Sequence, residues 1–333
     1  MPYAMSMSET GGPDVLRRTA LIPPSPAAGT VLVRNRAAAV NFIDTLIRRG
    51  EMPPGMTPAL PHTPGVEGAG VVESVGDGVT RVAVGERVAW MGPVGAGGYG
   101  THSLIAEPFL VRLKDDIVFA EAAAVPVNAM TAWHMLVNLG RAEAGTSVLV
   151  HAAAGGVGTM ILQIAKHIGA TTIASVSSSK IAQALEQGAD YAIDYQSEDI
   201  FAKVKEITSG RSVDLTLNPI SGETLKSDME LLAPFGTIVL FGFLAGPPTG
   251  TFADDMVKHF QKSIAVRVSD IYTYYRERPD AFSADLGHVF ELLDHGVLRP
   301  HLFAEMPVQE AGEAHRMLEA GEVVGKLVLT IGD

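Results

Sequence analysis

The chain has 333 residues, 47% of them hydrophobic and 19% charged, which suits a compact protein long enough for two domains. Its formal net charge is −12 with no basic run, which argues against a nucleic-acid partner, and the acidity reads as solubility. It has no cysteine, which removes disulfides, thiolate zinc sites, iron–sulfur clusters and cysteine nucleophiles together and fits a reducing, cytoplasmic setting.

Residues 1–120 are β-rich. Strands are predicted at Val31–Asn35, Gly70–Val75, Arg87–Trp90 and Ser103–Val111, set apart by turns at Pro23–Pro26, Pro53–Gly55 and Pro61–Gly65. Short strands so punctuated predict a barrel-like sheet, with Gly92–Gly100 as a flexible loop. The pattern changes at Ala120. A helix is predicted over Glu121–Leu139, broken or kinked near Pro126.

Strands and helices then alternate: strand Ser147–His151, turn Ala152–Gly158, helix Thr159–Ile168 and strand Thr171–Val176. Helix Lys180–Gln187, strand Tyr191–Asp194, helix Ile200–Thr208, strand Val213–Leu217, helix Glu223–Leu232 and strand Thr237–Phe241 follow. This is the signature of a doubly wound parallel sheet. Ser263–Val268 is a further strand, placed at the sheet edge, before helices Ala281–His295 and Ala311–Ala320 and a closing strand, Lys326–Ile331. The most apolar stretch, Gly158–Val176, is interrupted by Gln163, Lys166, His167 and Gly169, so it reads as core and not as a membrane span.

The turn after the first strand of that alternation reads A-x-G-x-x-G, with Ala153, Gly155 and Gly158 in the fingerprint positions. Without a side chain, Gly155 lets backbone amides approach a pyrophosphate, and Gly158 lets the helix pack closely on the strand. The helix N-terminus then offers unpaired N–H groups and the positive end of its dipole. NAD enzymes usually place an acid after the second strand to hold the ribose 2′-hydroxyl. Here that strand runs into Ser177-Ser178-Ser179-Lys180, with no carboxylate until Glu186. Hydroxyls and an ammonium suit a 2′-phosphate instead, which points to NADPH.

In order and spacing the chain resembles the zinc-independent quinone oxidoreductase (zeta-crystallin-like) branch of the medium-chain dehydrogenase/reductase superfamily. The resemblance rests on ETGGPDVL (Glu9–Leu16), VNFIDTLIRRG (Val40–Gly50), PGVEGAGVVESVGDGV (Pro64–Val79), VGERVAW (Val84–Trp90) and GGYGTHSLI (Gly97–Ile105). It continues through EAAAVPVNAMTAWHML (Glu121–Leu136), HAAAGGVG (His151–Gly158), GADYAIDY (Gly188–Tyr195) and GKLVL (Gly325–Leu329). It implies an α/β protein in which a Rossmann doubly wound sheet, residues 124–271, is enclosed by a split β-rich GroES-like catalytic domain, residues 1–123 and 272–333. The resemblance also implies an active site in the cleft between them and a homodimer or homotetramer, for which pairing of edge strands is one physical route.

Matched residue by residue, the resemblance puts Asn41 and Thr131 at the nicotinamide end and Ala154, Gly155, Gly156 and Val157 at the pyrophosphate. It puts Ser177, Lys180 and Tyr195 at the 2′-phosphate, and Asn218, Phe241, Gly242 and Phe243 beside the nicotinamide ribose and ring. Arg267 and Ser269 fit a further cofactor contact, and Lys326 is a looser candidate, since a strand-start lysine is more often solvated. Zinc relatives carry a cysteine and a histidine where this chain has Asn41 and Val66, so no metal is expected.

Hydride transfer needs alignment and exclusion of water more than side-chain chemistry. Asn41 is a candidate donor to cofactor or acceptor, and Asp44 a candidate to orient it or relay a proton; both equally suit a helix start. Glu67 reads as a structural partner, and Arg48 and Arg49 as solvated. Related enzymes often have a tyrosine where this chain has Leu46 or Met52; Tyr99, Tyr272 and Tyr274 are the substitutes to consider. Trp90, Met91 and Phe243 either line a slot for a planar acceptor or pack in the core. The reading is an NADPH-dependent reductase of quinones or similar conjugated carbonyls. The rivals are a 2-alkenal, enone or enoyl-thioester reductase, and a non-catalytic NADPH-binding protein with a structural or sensing role.

Overall fold

In a computed structural model, which describes residues 1–52, 57–248 and 252–332, the chain divides into two compact units. One comprises Met1–Asn128 with Tyr274–Asp333, the other Ala129–Thr273. The turn expected at Pro53–Gly55 lies outside the described residues. Among the described residues no helix is long and apolar enough to cross a membrane.

The strands of the first unit are β1 (Tyr3–Ser6), β2 (Arg17–Ala20), β3 (Thr30–Ala39), β4 (Glu67–Val75), β5 (Arg87–Met91), β6 (His102–Ala106) and β7 (Leu110–Arg112). Those of the second are β8 (Ser147–His151), β9 (Thr171–Val176), β10 (Tyr191–Asp194), β11 (Val213–Asn218), β12 (Leu232–Leu240) and β13 (Ala265–Val268). The chain then returns to the first unit with β14 (Leu302–Pro307) and β15 (Lys326–Thr330).

In the first unit the strands pair in the order β14-β15-β3-β4-β5-β7, antiparallel but for β14 beside β15, and β6 adds to β3. A β1–β2 hairpin lies outside this sheet. The strand expected at Val31–Asn35 runs on to Ala39, because Ala37–Ala39 are buried and bond to β4 and β15. Pairing with neighbours overrides alanine's weak strand preference. Ser103–Val111 divides into β6 and β7 around a turn at Glu107–Phe109, where Pro108 cannot donate to a ladder.

Helix α1 (Phe42–Arg49) begins at Asn41 with a capping box: the Asp44 carboxylate accepts from the Asn41 backbone N–H at 2.9 Å. It ends at Gly50 in the left-handed conformation. The helix expected over Glu121–Leu139 is three segments: α2 (Phe119–Ala123), α3 (Pro126–Trp133) and a π-helical stretch, His134–Leu139. Pro126 accounts for the first break, since it sits at a helix start where its missing N–H costs nothing.

The second unit holds a six-stranded parallel sheet in the order β10-β9-β8-β11-β12-β13, every neighbouring pair parallel. Val148–Val150 are fully buried, as a strand covered on both faces requires. From β8 the chain steps outward to β9 and β10, then starts again on the other side with β11, β12 and β13. The strand order therefore reverses between β8 and β11, and ligands of open parallel sheets bind outside the carboxyl ends of strands at such a reversal.

Candidate active site

In the second unit, β8 leads through Ala152–Gly155 into α4 (Gly156–Ile168), three residues earlier than the helix expected from Thr159. Gly155 is the N-cap residue and its amide joins the Ala152 carbonyl at 3.0 Å; no side chain caps the helix. The first turn thus keeps its N–H groups for another acceptor. A Cβ on Gly158 would lie 2.5 Å from the Ala153 carbonyl oxygen and 2.6 Å from that of Ala152, so the helix can lie this close to the turn only with glycine there. Ala154 is buried, while Gly155, Gly156 and Val157 are half-buried at the helix start.

Past β9, Ser177 occupies an N-cap position but its hydroxyl does not cap; it lies 3.3 Å from the Ser179 hydroxyl. Lys180 is held at this turn by its backbone N–H, which donates to the Ser177 carbonyl at 2.9 Å. Tyr195 is exposed, and its amide bonds to the Val176 carbonyl at 3.1 Å, bringing it to the same strand end. The sequence order hid one neighbour. Asp194, at the end of β10, also reaches this turn, where the Ser197 hydroxyl and the amides of Gln196 and Ser178 hold its carboxyl below the usual range. Surrounded by those donors, it serves the turn itself.

Phe241 and Gly242 follow β12 and are half-buried, and Phe243 is more than half exposed. A Cβ on Gly242 would lie 2.8 Å from the Pro219 carbonyl oxygen, so the loops after β11 and β12 lie against one another. Asn218 is fully buried at the end of β11, and all its amide capacity is used locally. Arg267 is exposed on the edge strand β13, Ser269 follows it, and Thr131 is half-buried on α3.

In the first unit a polar cluster is built into the sheet. Lys326 is not solvated: it is 5% exposed, at the start of β15. Its ammonium lies 2.9 Å from Glu67 Oε1 and donates to Asn41 Oδ1 at 2.6 Å and to Asn128 Oδ1 at 3.1 Å. The Asn41 amide donates to Glu67 Oε1 at 2.8 Å, and Glu67 Oε2 accepts from the Val127 N–H at 2.7 Å. Both ends of the Asn41 side chain are thereby engaged, so its strongest bonds go to this cluster and not outward. Sequence reasoning passed over Asn128, whose only signal was a polar residue in an apolar helix.

Asp44 is fully buried and accepts from the Asn41 and Gly65 backbone amides at 2.9 and 3.0 Å. Burial pushes its carboxyl up to about 6, against the opposing pull of those two amides and the Lys326 charge. Behind it runs a chain of buried groups. Arg48, 1% exposed and not solvated, donates from Nε to His315 Nδ1 at 3.2 Å. His315 Nε2 therefore carries the proton and faces the Tyr99 hydroxyl at 3.0 Å, and that hydroxyl reaches Asp44 at 3.4 Å. Burial, aided by Arg48, lowers His315 to about 3, so the ring is neutral. Tyr99 is fully buried and pushed well above the usual phenol range, by burial first and then by Asp44, which makes it a fixed strut and not a substitute proton donor.

Tyr272 is buried and the Tyr274 hydroxyl donates to Asp285 at 2.7 Å. Trp90 and Met91 are fully buried in the core, with Trp90 Nε1 donating to Asn35 at 3.2 Å, and Met52 packs against a core cluster. Leu46 is half-buried on α1, and Arg49 pairs with Glu51 and Glu319.

A raised carboxyl gives a definite pH dependence. Below its unfolded value of 3.8 Asp44 is protonated in both states and the difference favours folding; that advantage is lost as pH rises through about 6. Between about pH 4 and about pH 7 the native protein is expected to lose about 3 kcal/mol relative to Asp44→Asn. Urea unfolding of both proteins across that range checks this, and parallel pH profiles would remove the claim.

Zinc does not fit this cluster. Asn41 and Val66 offer an amide and an isopropyl group, and the ammonium of Lys326 sits where the two stretches converge.

Residues 27–132 match the alcohol dehydrogenase GroES-like domain family, and residues 156–286 match the zinc-binding dehydrogenase family. A quinone oxidoreductase of Pseudomonas aeruginosa is 37% identical over 99% of both chains. The crystal structure of Escherichia coli quinone oxidoreductase complexed with NADPH superposes with a TM-score of 0.90 at 31% identity, covering 99% of this chain and 100% of that one. A 2-haloacrylate reductase from a Burkholderia species is 32% identical, again over 99% of both.

Proposed function

We propose that this chain, which belongs to the quinone oxidoreductase branch of the medium-chain dehydrogenase/reductase superfamily, reduces a quinone or similar conjugated carbonyl with hydride from NADPH. The observation that carries the cofactor reading is the uncapped start of α4 at the reversal of strand order, where Gly155 and Gly158 leave room for a pyrophosphate. Ser177, Lys180 and Tyr195 at the neighbouring strand end are the proposed 2′-phosphate contacts, and the NADPH in the Escherichia coli relative supports that preference. Ala154, Gly155, Gly156 and Val157 are proposed to face the pyrophosphate. Phe241, Gly242, Phe243, Arg267, Ser269 and Thr131 are proposed for the nicotinamide half.

When bound, NADPH supplies two electrons and a hydrogen nucleus as hydride; a proton completes reduction of the acceptor. The protein's part is to orient and to exclude water. In the catalytic domain, proposed as residues 1–123 and 272–333 against an NADP(H)-binding domain of 124–271, Asp44 and Lys326 hold Asn41 from two sides. Asn41 is accordingly proposed to present a rigid edge to the nicotinamide and acceptor, with the fully buried Asp44 orienting it from behind and able to exchange a proton near neutrality. The edge strand β13, whose Val268 is 69% exposed, is the proposed seam of a homodimer, and the cytoplasm the proposed setting.

A second reading, reduction of an electron-poor alkene conjugated to a carboxyl or carbonyl group, is favoured by the likeness to a 2-haloacrylate reductase. The test is loss of reduced-nicotinamide absorbance with small quinones, a 2-alkenal, a 2-enoyl-CoA and a 2-haloacrylate, each with NADPH and with NADH. Turnover confined to quinones supports the first reading, and preference for an alkene acid or thioester supports the second. NADPH binding without turnover on any acceptor would leave a structural or sensing role. Better use of NADH would overturn the assignment of Ser177 and Lys180.

A further inference from the structure

The parallel sheet carries a fully buried carboxylate that the hydride reaction does not use. Asp228, on α5 (Glu223–Leu231), has no exposed surface. One oxygen lies 2.8 Å from Nε2 of His151, the last residue of β8, and the other accepts from the Asn218 amide at 2.6 Å, the last residue of β11. These are the two strands between which the order reverses. A single side chain thus ties together the two strand ends that flank the crevice.

The backbone beyond each tie is strained. Ala152, directly after His151, has a φ of 50°, and Ser221, three residues after Asn218, a φ of 62°, both left-handed without being glycine. Such a backbone conformation is strained for a residue with a side chain and persists only where its surroundings hold it. Asn218 supplies the hold on its side: its carbonyl oxygen accepts from the Ile220 and Ser221 amides at 2.7 and 2.9 Å, and its amide donates to Thr224 at 2.9 Å as well as to Asp228. On the other side, His151 is buried and its only hydrogen bond among the described side chains is to Asp228. A buried carboxylate is costly unless well paired, and here both its partners are strand-end residues.

We propose that Asp228 is a positioning residue for the cofactor site: by fixing His151 and Asn218 it holds the pyrophosphate turn and the loop after β11 in their binding shapes, without touching the cofactor. This rests on the NADPH reading above, and it makes a directional statement. The proposed 2′-phosphate contacts follow β9 (Ser177, Lys180) and β10 (Tyr195), on the far side of β8 from β11, and no bond of this network reaches them. Loss of Asp228 should weaken the diphosphate and nicotinamide half of the ligand and spare the adenosine phosphate end.

The experiment compares the wild-type chain, Asp228→Asn and His151→Gln for binding of NADPH and of adenosine 2′-monophosphate, which has no phosphate at the pyrophosphate turn, by calorimetry. An amide at 228 keeps the volume but cannot accept from both His151 and Asn218 through its two terminal atoms. The expected result for each variant is an NADPH Kd raised about tenfold with the adenosine 2′-monophosphate Kd within about twofold of wild type. In the double variant the loss should be no greater than that of the weaker-binding single, because both act through one pair. Equal weakening of both ligands would mean a general loosening of the sheet, and unchanged NADPH binding would mean no positioning role; either overturns the proposal. Should Asp228→Asn fail to fold, His151→Gln carries the same expectation by itself. Failure of the wild type to bind NADPH is a separate outcome, which removes the cofactor reading before any variant is compared.

Discussion

Exchange of Lys326 for methionine is expected to lower the free energy of unfolding by about 3–5 kcal/mol, a large part of the stability of a protein of this kind. The ammonium is the cation paired with Glu67, which is fully buried, and it also donates hydrogen bonds to two asparagine carbonyl oxygens. Methionine fills most of the volume, so the expected loss comes from an unpaired carboxylate and not from a cavity. That attribution is checked by the pair: Glu67→Gln in the Lys326→Met background should recover part of the loss, since the glutamine keeps an acceptor for Val127 and needs no counter-charge. Urea unfolding of the wild type, both singles and the double measures the coupling. A loss below about 1 kcal/mol for Lys326→Met would show that the pair is no stronger than an exposed ion pair.

This same lysine marks where sequence reasoning stops. At the start of a β-strand, its local surroundings say only that lysines snorkel to solvent. Its partners Glu67, Asn41 and Asn128 lie 198 or more residues away along the chain, and nothing local in any of them announces the others. Arg48 and His315, 267 residues apart, were hidden in the same way. In the parallel sheet the opposite holds. Its strands and helices alternate in short runs whose hydrophobic periods are local, and its glycines mark the turn directly, so the sheet and the pyrophosphate turn were legible. What escaped there was again tertiary: Asp194 reaches the Ser177 turn from the next strand, and Asp228 reaches two strand ends from a helix. The misplaced boundaries have local causes. Helix α4 starts within the glycine turn because its first residues need no side chains to be held, and β3 outruns its apolar signal because partners on both sides extend it.

Gly158→Ala is expected to weaken NADPH binding by about 100-fold while leaving the unfolding free energy within about 3 kcal/mol of wild type. The added methyl would sit 2.5 and 2.6 Å from two backbone carbonyl oxygens, those of Ala153 and Ala152, closer than any van der Waals contact. Neither oxygen belongs to a flexible side chain that can swing aside. Relief must therefore come from sliding the start of α4 away from the strand end, or from turning the Ala152–Gly155 peptides, and both move the amides that would face a pyrophosphate. Such a movement costs little in folding, because the rest of α4 remains packed through Met160, Ile161, Leu162 and Ile164, all buried. It costs a great deal in binding, because several hydrogen bonds to one charged group depend on the same few tenths of an ångström. The contrast with Gly155→Ala is the sharper check: there the nearest atom is 3.3 Å away, so the turn has only to give slightly and a loss of about tenfold or less is expected. Fluorescence titration of NADPH against the two variants decides it. Equal losses would mean that the glycines act by flexibility alone; a larger loss at Gly158 means that the close approach of helix to turn is what shapes the cofactor site.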